Sequence, residues 1–244
     1  MSGHSHYATI RRQKELKDAQ KGQIFSKLAK EITIAVKAGG PDANANFKLR
    51  VAMDKARAAN MPKDNVERAI SSGSSSASSL EEISYEGFGP SGISVVVVVA
   101  TDNKNRTSQE VKNLFERAGG RLAGPGSVSF NFENKGLLVV EKSSDAETQM
   151  LTLIDMGVED IEETDDGLEV YVLPDKLSET KKKLEEAGFV VISAELFMKP
   201  KSLETISDPG QAKRALSFLD SLEEQEDVQK VYANLDVPDA VVSG

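Results

Sequence analysis

Basic side chains are the residues of this sequence best suited, by type and spacing, to bind a ligand. The first 73 residues contain 14 Lys and Arg against 7 Asp and Glu. Lys and Arg suit phosphate contact because each neutralised phosphate releases counterions, a gain that is indifferent to base sequence. Acids are too few here to pair every cation, although solvated helix faces remain the alternative. The predicted phosphate-binding surface comprises Arg11, Arg12, Lys14, Lys17, Lys21, Lys27, Lys30, Arg50, Lys55, Arg57, Lys63 and Arg68.

The charge of the chain is distributed unevenly. Its formal net charge is −9 over 244 residues, yet the first 73 residues carry +7 and the other 171 carry −16. A basic module joined to an acidic body is typical of proteins that bind a polyanion through one part of their surface. Chance differences between the solvated faces of separate domains are the competing interpretation.

Two further segments are candidates for contact with an anion. His4 lies in a polar tail without periodicity, which predicts a mobile arm able to approach a groove or a backbone. Arg106 follows a predicted strand and precedes a helix that the capping box Thr107-x-x-Glu110 is expected to open. A helix N-terminus offers backbone N–H groups and a favourable dipole to an anion. For this second segment a plain capped loop is the alternative.

Residues suited to catalysis or metal binding form no recognisable set. The chain has no Cys and only two His, both in the tail, which excludes disulfides and thiolate sites and leaves too few ligands for zinc. Neither a P-loop nor a nucleophile elbow is present. The sequence therefore predicts a protein that is not an enzyme, with no catalytic residues, metal, cofactor or small-molecule substrate. An enzyme or a small-molecule sensor that uses the two later α+β domains is the remaining alternative from another functional class.

The hydropathy pattern predicts a soluble protein with no membrane partner. The longest apolar run, Ile93 to Ala100, is strand-sized, far below the roughly 20 residues needed to span a bilayer. The N-terminus lacks the apolar core of a secretory signal. The lack of Cys suits a reducing compartment, so we expect a cytoplasmic location.

The basic segment has the periodicity of three helices, over about residues 13–37, 44–59 and 62–70. Lys30 and Lys37 fall opposite the apolar stripe of the first helix, so they are expected to face water or a partner. Gly39-Gly40-Pro41 ends this helix, and Pro62 suits the first turn of the third. The apolar stripe itself consists of Ile24, Phe25, Leu28, Ile32, Ala35 and Val36.

The predicted fold class is α+β, with an all-helical N-terminal bundle followed by two α+β domains. Residues 1–73 form the basic helical domain with its mobile tail, and the Gly/Ser-rich residues 74–79 a flexible linker. A strand is expected at residues 127–132. Residues 135–203 show the order β-α-β-β-α-β, which predicts a ferredoxin-like domain. That domain is expected to be inserted into a split α+β domain made of residues 80–134 and 204–240.

Several segments together resemble the YebC family of gene-expression regulators, which includes a branch of mitochondrial translational activators. Each segment is a weak signal alone, but their order is specific, and they cover the first 135 residues closely. The segments are Gly3-His4-Ser5, Lys21-Gly22-Gln23-Ile24-Phe25-Ser26-Lys27-Leu28, Ala58-Ala59-Asn60-Met61-Pro62-Lys63-Asp64, Tyr85-Glu86-Gly87-Phe88-Gly89-Pro90-Ser91-Gly92, Thr101-Asp102-Asn103-Lys104-Asn105-Arg106-Thr107 and Gly126-Ser127-Val128-Ser129-Phe130.

The resemblance implies three domains, the first all-helical and the other two α+β. It also implies a DNA-binding transcriptional regulator, or a ribosome-associated factor that helps translation through nascent sequences such as proline runs. The family usually carries Lys-Trp after His-Ser, whereas this chain has His6-Tyr7. A Tyr side chain at position 7 can still stack on a base, but a positive charge and the larger ring are lost.

The sequence thus predicts a nucleic-acid-binding regulator of gene expression, and its target stays open. A DNA-binding transcriptional regulator is the function that the resemblance favours. A translation factor on ribosomal RNA fits the residues, because phosphate and shape contacts suffice there without base readout. The site residues predicted for either partner are His4, Tyr7, Arg11, Arg12, Lys14, Lys17, Lys21, Lys27, Lys30, Arg50, Arg57, Lys63 and Arg106.

Overall fold

The computed structural model describes residues 21–75, 79–164, 167–238 and 241. They fall into two units, one made of residues 21–130 with Ile206–Ala233, the other of Asn131–Thr205 with Asn234 and the residues after it. Within these ranges no helix has the length and apolar character needed to cross a membrane.

In the described chain three consecutive helices come first, and after them pairs of strands are separated by single helices. In order, the elements are α1 (Lys21–Gly39), α2 (Phe47–Ala58), α3 (Lys63–Ser74), β1 (Glu81–Phe88), β2 (Ser94–Thr101), α4 (Lys104–Arg117), β3 (Arg121–Ala123), β4 (Phe132–Val140), α5 (Ala146–Asp155), β5 (Asp160–Thr164), β6 (Gly167–Val172), α6 (Leu177–Glu186), β7 (Val191–Pro200), β8 (Glu204–Thr205), α7 (Pro209–Glu224), β9 (Val228–Ala233) and β10 (Leu235–Asp236).

Helices α1, α2 and α3 pack around a shared apolar core. α1 ends where Gly40 adopts a φ of 82°, a conformation that favours glycine, and Pro41 follows it. α2 begins at Phe47 because the side chain of Asn46 caps it, accepting a hydrogen bond from the Leu49 N–H at 3.1 Å. The core consists of Leu28, Ile32, Ala35, Val36, Leu49, Ala52, Ala56, Met61 and Ala69.

The end of α3 differs from the expected linker, because the helix continues through Gly73 and Ser74. A Cβ atom on Gly73 would lie 2.7 Å from the Thr33 carbonyl oxygen and 2.7 Å from the Val36 Cβ atom. Close approach of α3 to α1 therefore explains this glycine, which lies beyond the predicted end of the third helix at residue 70. The Thr33 hydroxyl also joins the two helices, donating to the Ala69 carbonyl oxygen at 3.1 Å. Residues 76–78 of the predicted linker lie outside the described residues.

A four-stranded antiparallel sheet forms the rest of the first unit, in the order β3-β1-β2-β9. Helices α4 and α7 lie against it, and their Phe115 and Phe218 rings meet edge to face with centroids 4.9 Å apart. These rings reach the backbone at the end of β1 and just beyond it because Gly87 and Gly89 have no side chains. A Cβ would lie 2.5 Å from Phe115 at Gly87 and 2.8 Å from Phe218 at Gly89.

The segment predicted as a strand at residues 127–132 is a loop followed by a single 3-10 turn, Ser129–Asn131. The physical reason is the buried Glu86 carboxylate on β1. It accepts hydrogen bonds from the backbone N–H groups of Gly126, Val128 and Ser129, each at 2.8 Å. Those N–H groups are therefore not available to pair with a strand. β1 itself is absent from the sequence-based expectation because its acidic residues hide the strand pattern.

The second unit contains another four-stranded antiparallel sheet, in the order β5-β6-β4-β7. β4 lies at its centre, and Gly136 on this strand approaches Leu177 of α6, where a Cβ would lie 2.9 Å away. β8 and β10 form a short parallel pair. The predicted boundary between residues 134 and 135 falls inside β4, and the mixed helix-and-sheet class is confirmed.

Replacing Gly73 by alanine should destabilise the protein, because the new Cβ atom meets backbone in α1 at less than van der Waals distance. We expect the Gly73→Ala substitution to lower the free energy of unfolding by about 1–3 kcal/mol, measured by urea denaturation. Gly22→Ala is the matched control, since among the described residues no atom lies within 4 Å of its Cβ position. Equal stability of the two variants would contradict the close packing of α3 on α1.

Candidate nucleic-acid interface

The structure describes about half of the predicted site residues. His4, Tyr7, Arg11, Arg12, Lys14 and Lys17 lie outside the described residues, and the side chain of Lys21 does as well. The remaining six separate into two groups. Arg50, Arg57 and Lys63 lie on α2 and α3. Lys30 and Arg106 contact one buried carboxylate, and Lys27 contacts a backbone carbonyl near the end of α7.

The first group lies on the outer surface of the helical bundle. The side chains of Arg57 and Lys63 are 78% and 87% exposed. Each has an acidic neighbour on its own helix, Asp54 at 3.1 Å from Arg57 and Glu67 at 3.4 Å from Lys63. Ion pairs of this exposed kind contribute little stability, so a phosphate can replace the carboxylate at small cost. Lys48, an exposed cation of α2 that the predicted site set omits, belongs to the same group.

Arg50 is more constrained than its neighbours on α2. Its Nη1 donates to the Ala43 carbonyl oxygen at 3.2 Å, and its guanidinium carbon lies 5.8 Å from the centroid of the Phe47 ring. The guanidinium is therefore held against the start of the helix by a hydrogen bond and a cation–π contact. Lys55 likewise contacts Glu31 at 3.1 Å.

The expectation that Lys30 faces water or a partner is wrong. Its side chain is 19% exposed, and its Nζ lies 2.7 Å from Oδ1 of Asp227, at the turn that precedes β9. Lys27, one turn earlier on α1, donates to the carbonyl oxygen of Glu223 near the end of α7. The physical reason is that α1 packs next to this turn, where a buried carboxylate and the last carbonyl groups of a helix both favour a cation.

Arg106 points to the same carboxylate. Its Nη2 lies 2.9 Å from Oδ2 of Asp227 and 3.2 Å from Oδ1 of Asp102. The predicted capping box is wrong, because Asn103 caps α4 instead, its Oδ1 accepting from the Arg106 N–H at 3.1 Å. Thr107 is buried one turn further on, and its hydroxyl donates to Oδ2 of Asp227 at 2.6 Å. The start of α4 is therefore satisfied by the protein's own groups.

Asp227 is ionised in this setting. Its side chain is 4% exposed. Burial raises the pKa of the Asp227 carboxyl, but the hydrogen bonds from Lys30, Thr107 and Arg106 outweigh that effect and hold the pKa well below its usual range. The sequence contained no signal for this residue, which lies in an acidic stretch without periodicity.

Glu86 is a second acidic residue that the sequence-based site does not include. Its carboxylate is buried and accepts the three N–H groups of the loop at residues 126–129. Burial raises the pKa of Glu86, and the three backbone hydrogen bonds lower it by more, so that the pKa lies below its ordinary value. The sequence signal that pointed to Glu86 was the family resemblance, because both segments that Glu86 joins are among those that carry it.

Comparison with known families covers almost the whole chain. Residues 5–76 match the model described as "TACO1/YebC protein N-terminal domain". Residues 80–235 match the model described as "TACO1/YebC second and third domain". The chain belongs to the TACO1/YebC family. The resemblance found in the sequence is thereby confirmed.

Relatives from the same family extend over nearly their full length. A protein from Dictyoglomus turgidum, named a probable transcriptional regulatory protein, is 42% identical over 99% of this chain and 98% of its own length. A protein from Thermotoga petrophila with the same name is 44% identical over 98% of this chain and 95% of its own length. The crystal structure of a conserved hypothetical protein from Aquifex aeolicus has a TM-score of 0.89 and 40% identity, covering 96% of this chain and 98% of that one.

Removing the charge of Asp227 should destabilise the first unit, because Lys30 and Arg106 would lose their shared acceptor. We expect the Asp227→Asn variant to lose about 2 kcal/mol of unfolding free energy at neutral pH. This loss is smaller than that for a fully buried ion pair, because Arg106 is partly solvated. Urea denaturation measures this difference. Asp102→Asn, which removes an exposed partner of Arg106, is the control and should cost less than about 1 kcal/mol.

The effect of Asp227 should also depend on pH. Its pKa is lower in the folded protein than in the unfolded chain, so its contribution is complete above an unfolded value of about 4. That contribution is lost as the pH falls toward the folded-state pKa. The stability difference between the native chain and Asp227→Asn should therefore shrink as the pH is lowered below about 4. A difference that stays constant across that range would show that ionisation of Asp227 is not involved.

Proposed function

We propose that this protein is a nucleic-acid-binding regulator of gene expression that contacts phosphates through its helical domain, without catalysing a reaction. The observation that carries the proposal is the exposed cationic surface of α2 and α3. Among residues 21–75 there are 10 Lys and Arg and 5 Asp and Glu. Lys27 and Lys30 contact acceptors inside the unit, so Lys48, Arg57 and Lys63 are the cations best placed for a polyanion.

Transcriptional regulation through DNA is the first form of this function. It is supported by the names of the relatives from Dictyoglomus and Thermotoga, both called probable transcriptional regulatory proteins. The predicted tail residues from His4 to Lys17 would extend the same contact. A cytoplasmic location is part of the proposal and agrees with the lack of Cys.

A translation factor bound to ribosomal RNA is the second form, and the composition of α2 favours it. Its sequence, FKLRVAMDKARA, supplies Lys and Arg but no Asn or Gln. Asn and Gln are the side chains that pair with adenine edges in the major groove, and Arg serves both guanine and phosphate. A face of this kind suits phosphate and shape recognition better than reading a promoter sequence.

The proposal includes the arrangement of the later domains. We propose that residues 132–200 form a ferredoxin-like domain, inserted into a domain that β1, β2, β3 and β9 share. The order β5-β6-β4-β7, with every neighbour antiparallel and α5 and α6 in the two connections, supports this assignment. Such a domain would serve as a scaffold or a second contact surface for the same partner.

Reversing the exposed charges of the helical domain should weaken nucleic-acid binding. For Lys48→Glu combined with Arg57→Glu and Lys63→Glu, we expect at least about tenfold weaker binding, and a salt dependence reduced by about 0.9 for each lost phosphate contact on duplex DNA. Fluorescence anisotropy with labelled DNA and RNA, repeated over a series of salt concentrations, measures both quantities.

A matched control exists on α6 and the turn before it, in the other unit. Lys176→Glu, Lys182→Glu and Lys183→Glu also reverse three exposed charges, and each of these lysines has an acidic neighbour one turn away, as Arg57 and Lys63 do. This variant should bind like the native chain. If both triple variants bind with the same affinity and salt dependence, the helical domain is not the contact surface.

The two forms of the function differ in the partner that the protein should bind, and each partner has its own test. A transcriptional regulator should prefer a specific promoter to a scrambled duplex in a gel-shift competition. A ribosomal factor should sediment with ribosomes at low salt and be released as salt rises. Equal competition by scrambled DNA would contradict the first form, and failure to sediment with ribosomes would contradict the second.

A further inference from the structure

A groove of about 650 Å³ lies between α1 and α3 in the first unit, and Ser79, Leu80 and Asp102 also line it. Its inner part is apolar, formed by Phe25, Ala29, Met61 and Ala69, of which Met61 and Ala69 are buried. Its outer part is polar, with Asn65, Arg68 and Ser72 on consecutive turns of α3. The volume is within the range of about 300–1,000 Å³ that small-ligand sites occupy.

Close contacts fix the position of the two helices that form the walls of the groove. Gly73 brings α3 against Val36, and the Thr33 hydroxyl of α1 donates to the carbonyl oxygen of Ala69 on α3 at 3.1 Å. Because both walls are joined in this way, a ligand that enters does not have to create the space first. A preformed site of this kind reduces the ordering cost of binding.

The polar side of the groove is suited to an anionic ligand that also carries a planar ring. Arg68 is exposed, and contacts to the Asp64 carbonyl oxygen and the Asn65 side chain hold its guanidinium against α3. A guanidinium has five N–H donors, and these two contacts use two of them, so donors remain for a phosphate. Lys30 and Asp102 also line the groove, but both charges are engaged within the protein, since Lys30 pairs with Asp227 and Asp102 with Arg106. Arg68 is therefore the cation of this lining that an incoming phosphate would meet.

We propose that this groove binds one unpaired nucleobase of a single-stranded nucleic acid, together with its adjoining phosphate. The inference rests on the proposed function and specifies where a base, as distinct from the phosphate backbone, is recognised. The ring lies on the apolar wall that includes Phe25, the Asn65 amide faces its edge, and Arg68 binds the phosphate. Stacking on aromatic or apolar side chains tolerates any base, so the contact adds affinity without requiring a target sequence.

Two serines on α3 allow a direct test. Ser71 and Ser72 are both exposed, but only Ser72 lines the groove. Binding of a short oligothymidine is compared with binding of an abasic oligonucleotide of the same length, which has phosphates but no bases. We expect the native chain to prefer the oligothymidine by about tenfold, the value of one stacked base. Ser72→Leu fills the groove and should remove this preference, and Ser71→Leu should keep it.

A second measurement does not depend on affinity. The chain contains no Trp, so emission from a Ser72→Trp variant reports on the groove alone. Oligothymidine should quench that emission more than the abasic probe does, and Ser71→Trp should show no such difference. Circular dichroism checks that each variant keeps its helices.

The outcomes separate this inference from the proposed function. If the native chain binds neither probe in a salt-dependent manner, the proposed function fails and the groove assignment fails with it. If the native chain binds both probes but shows no preference for bases, or if Ser72→Leu and Ser71→Leu keep the same preference, the groove is not a base site. In that second case phosphate binding by the helical domain stands.

Discussion

The buried carboxylate of Asp227 is the constraint on which the first unit depends. It lies at the turn between α7 and β9, and it receives Lys30 from α1 as well as Arg106 and Thr107 from α4. A buried charge is tolerated only when it is paired and hydrogen-bonded. Moving α1 or α4 away would therefore leave the Asp227 carboxylate without its partners, at a large cost in folding free energy. The backbone of Asp227 is engaged too, its carbonyl oxygen accepting from the Ala100 N–H at 2.8 Å.

This constraint divides the cations of the helical domain by role. Lys27 and Lys30 face inward and tie α1 to the end of α7 and to the turn after it, whereas Arg57 and Lys63 remain on the surface. A count of charges along the chain treats all four alike. The excess of positive charge thus has two roles. Lys27 and Lys30 hold α1 in place, and Arg57 and Lys63 are the cations that can attract a partner.

Local patterns in the sequence were enough to identify the helices and most strands. The stop at Gly39-Gly40-Pro41 and the run from Ile93 to Ala100 correspond closely to the end of α1 and to β2. The failures share a cause, which is contact between residues far apart in the chain. The third helix was predicted to end at residue 70, before Gly73, because nothing nearby in the sequence shows that Val36 lies against that glycine. Lys30 and Asp227 are 197 residues apart, and periodicity carries no information over that distance.

The three hydrogen bonds that converge on Glu86 have a consequence for how the loop at residues 126–129 moves. The N–H groups of Gly126, Val128 and Ser129 share one carboxylate as their acceptor, so a single rotation of that side chain would release all three together. Opening of the loop is therefore cooperative, although it contains no regular secondary structure. The amide hydrogens of these three residues should therefore exchange with solvent together, because they share the Glu86 side chain of β1 as their acceptor.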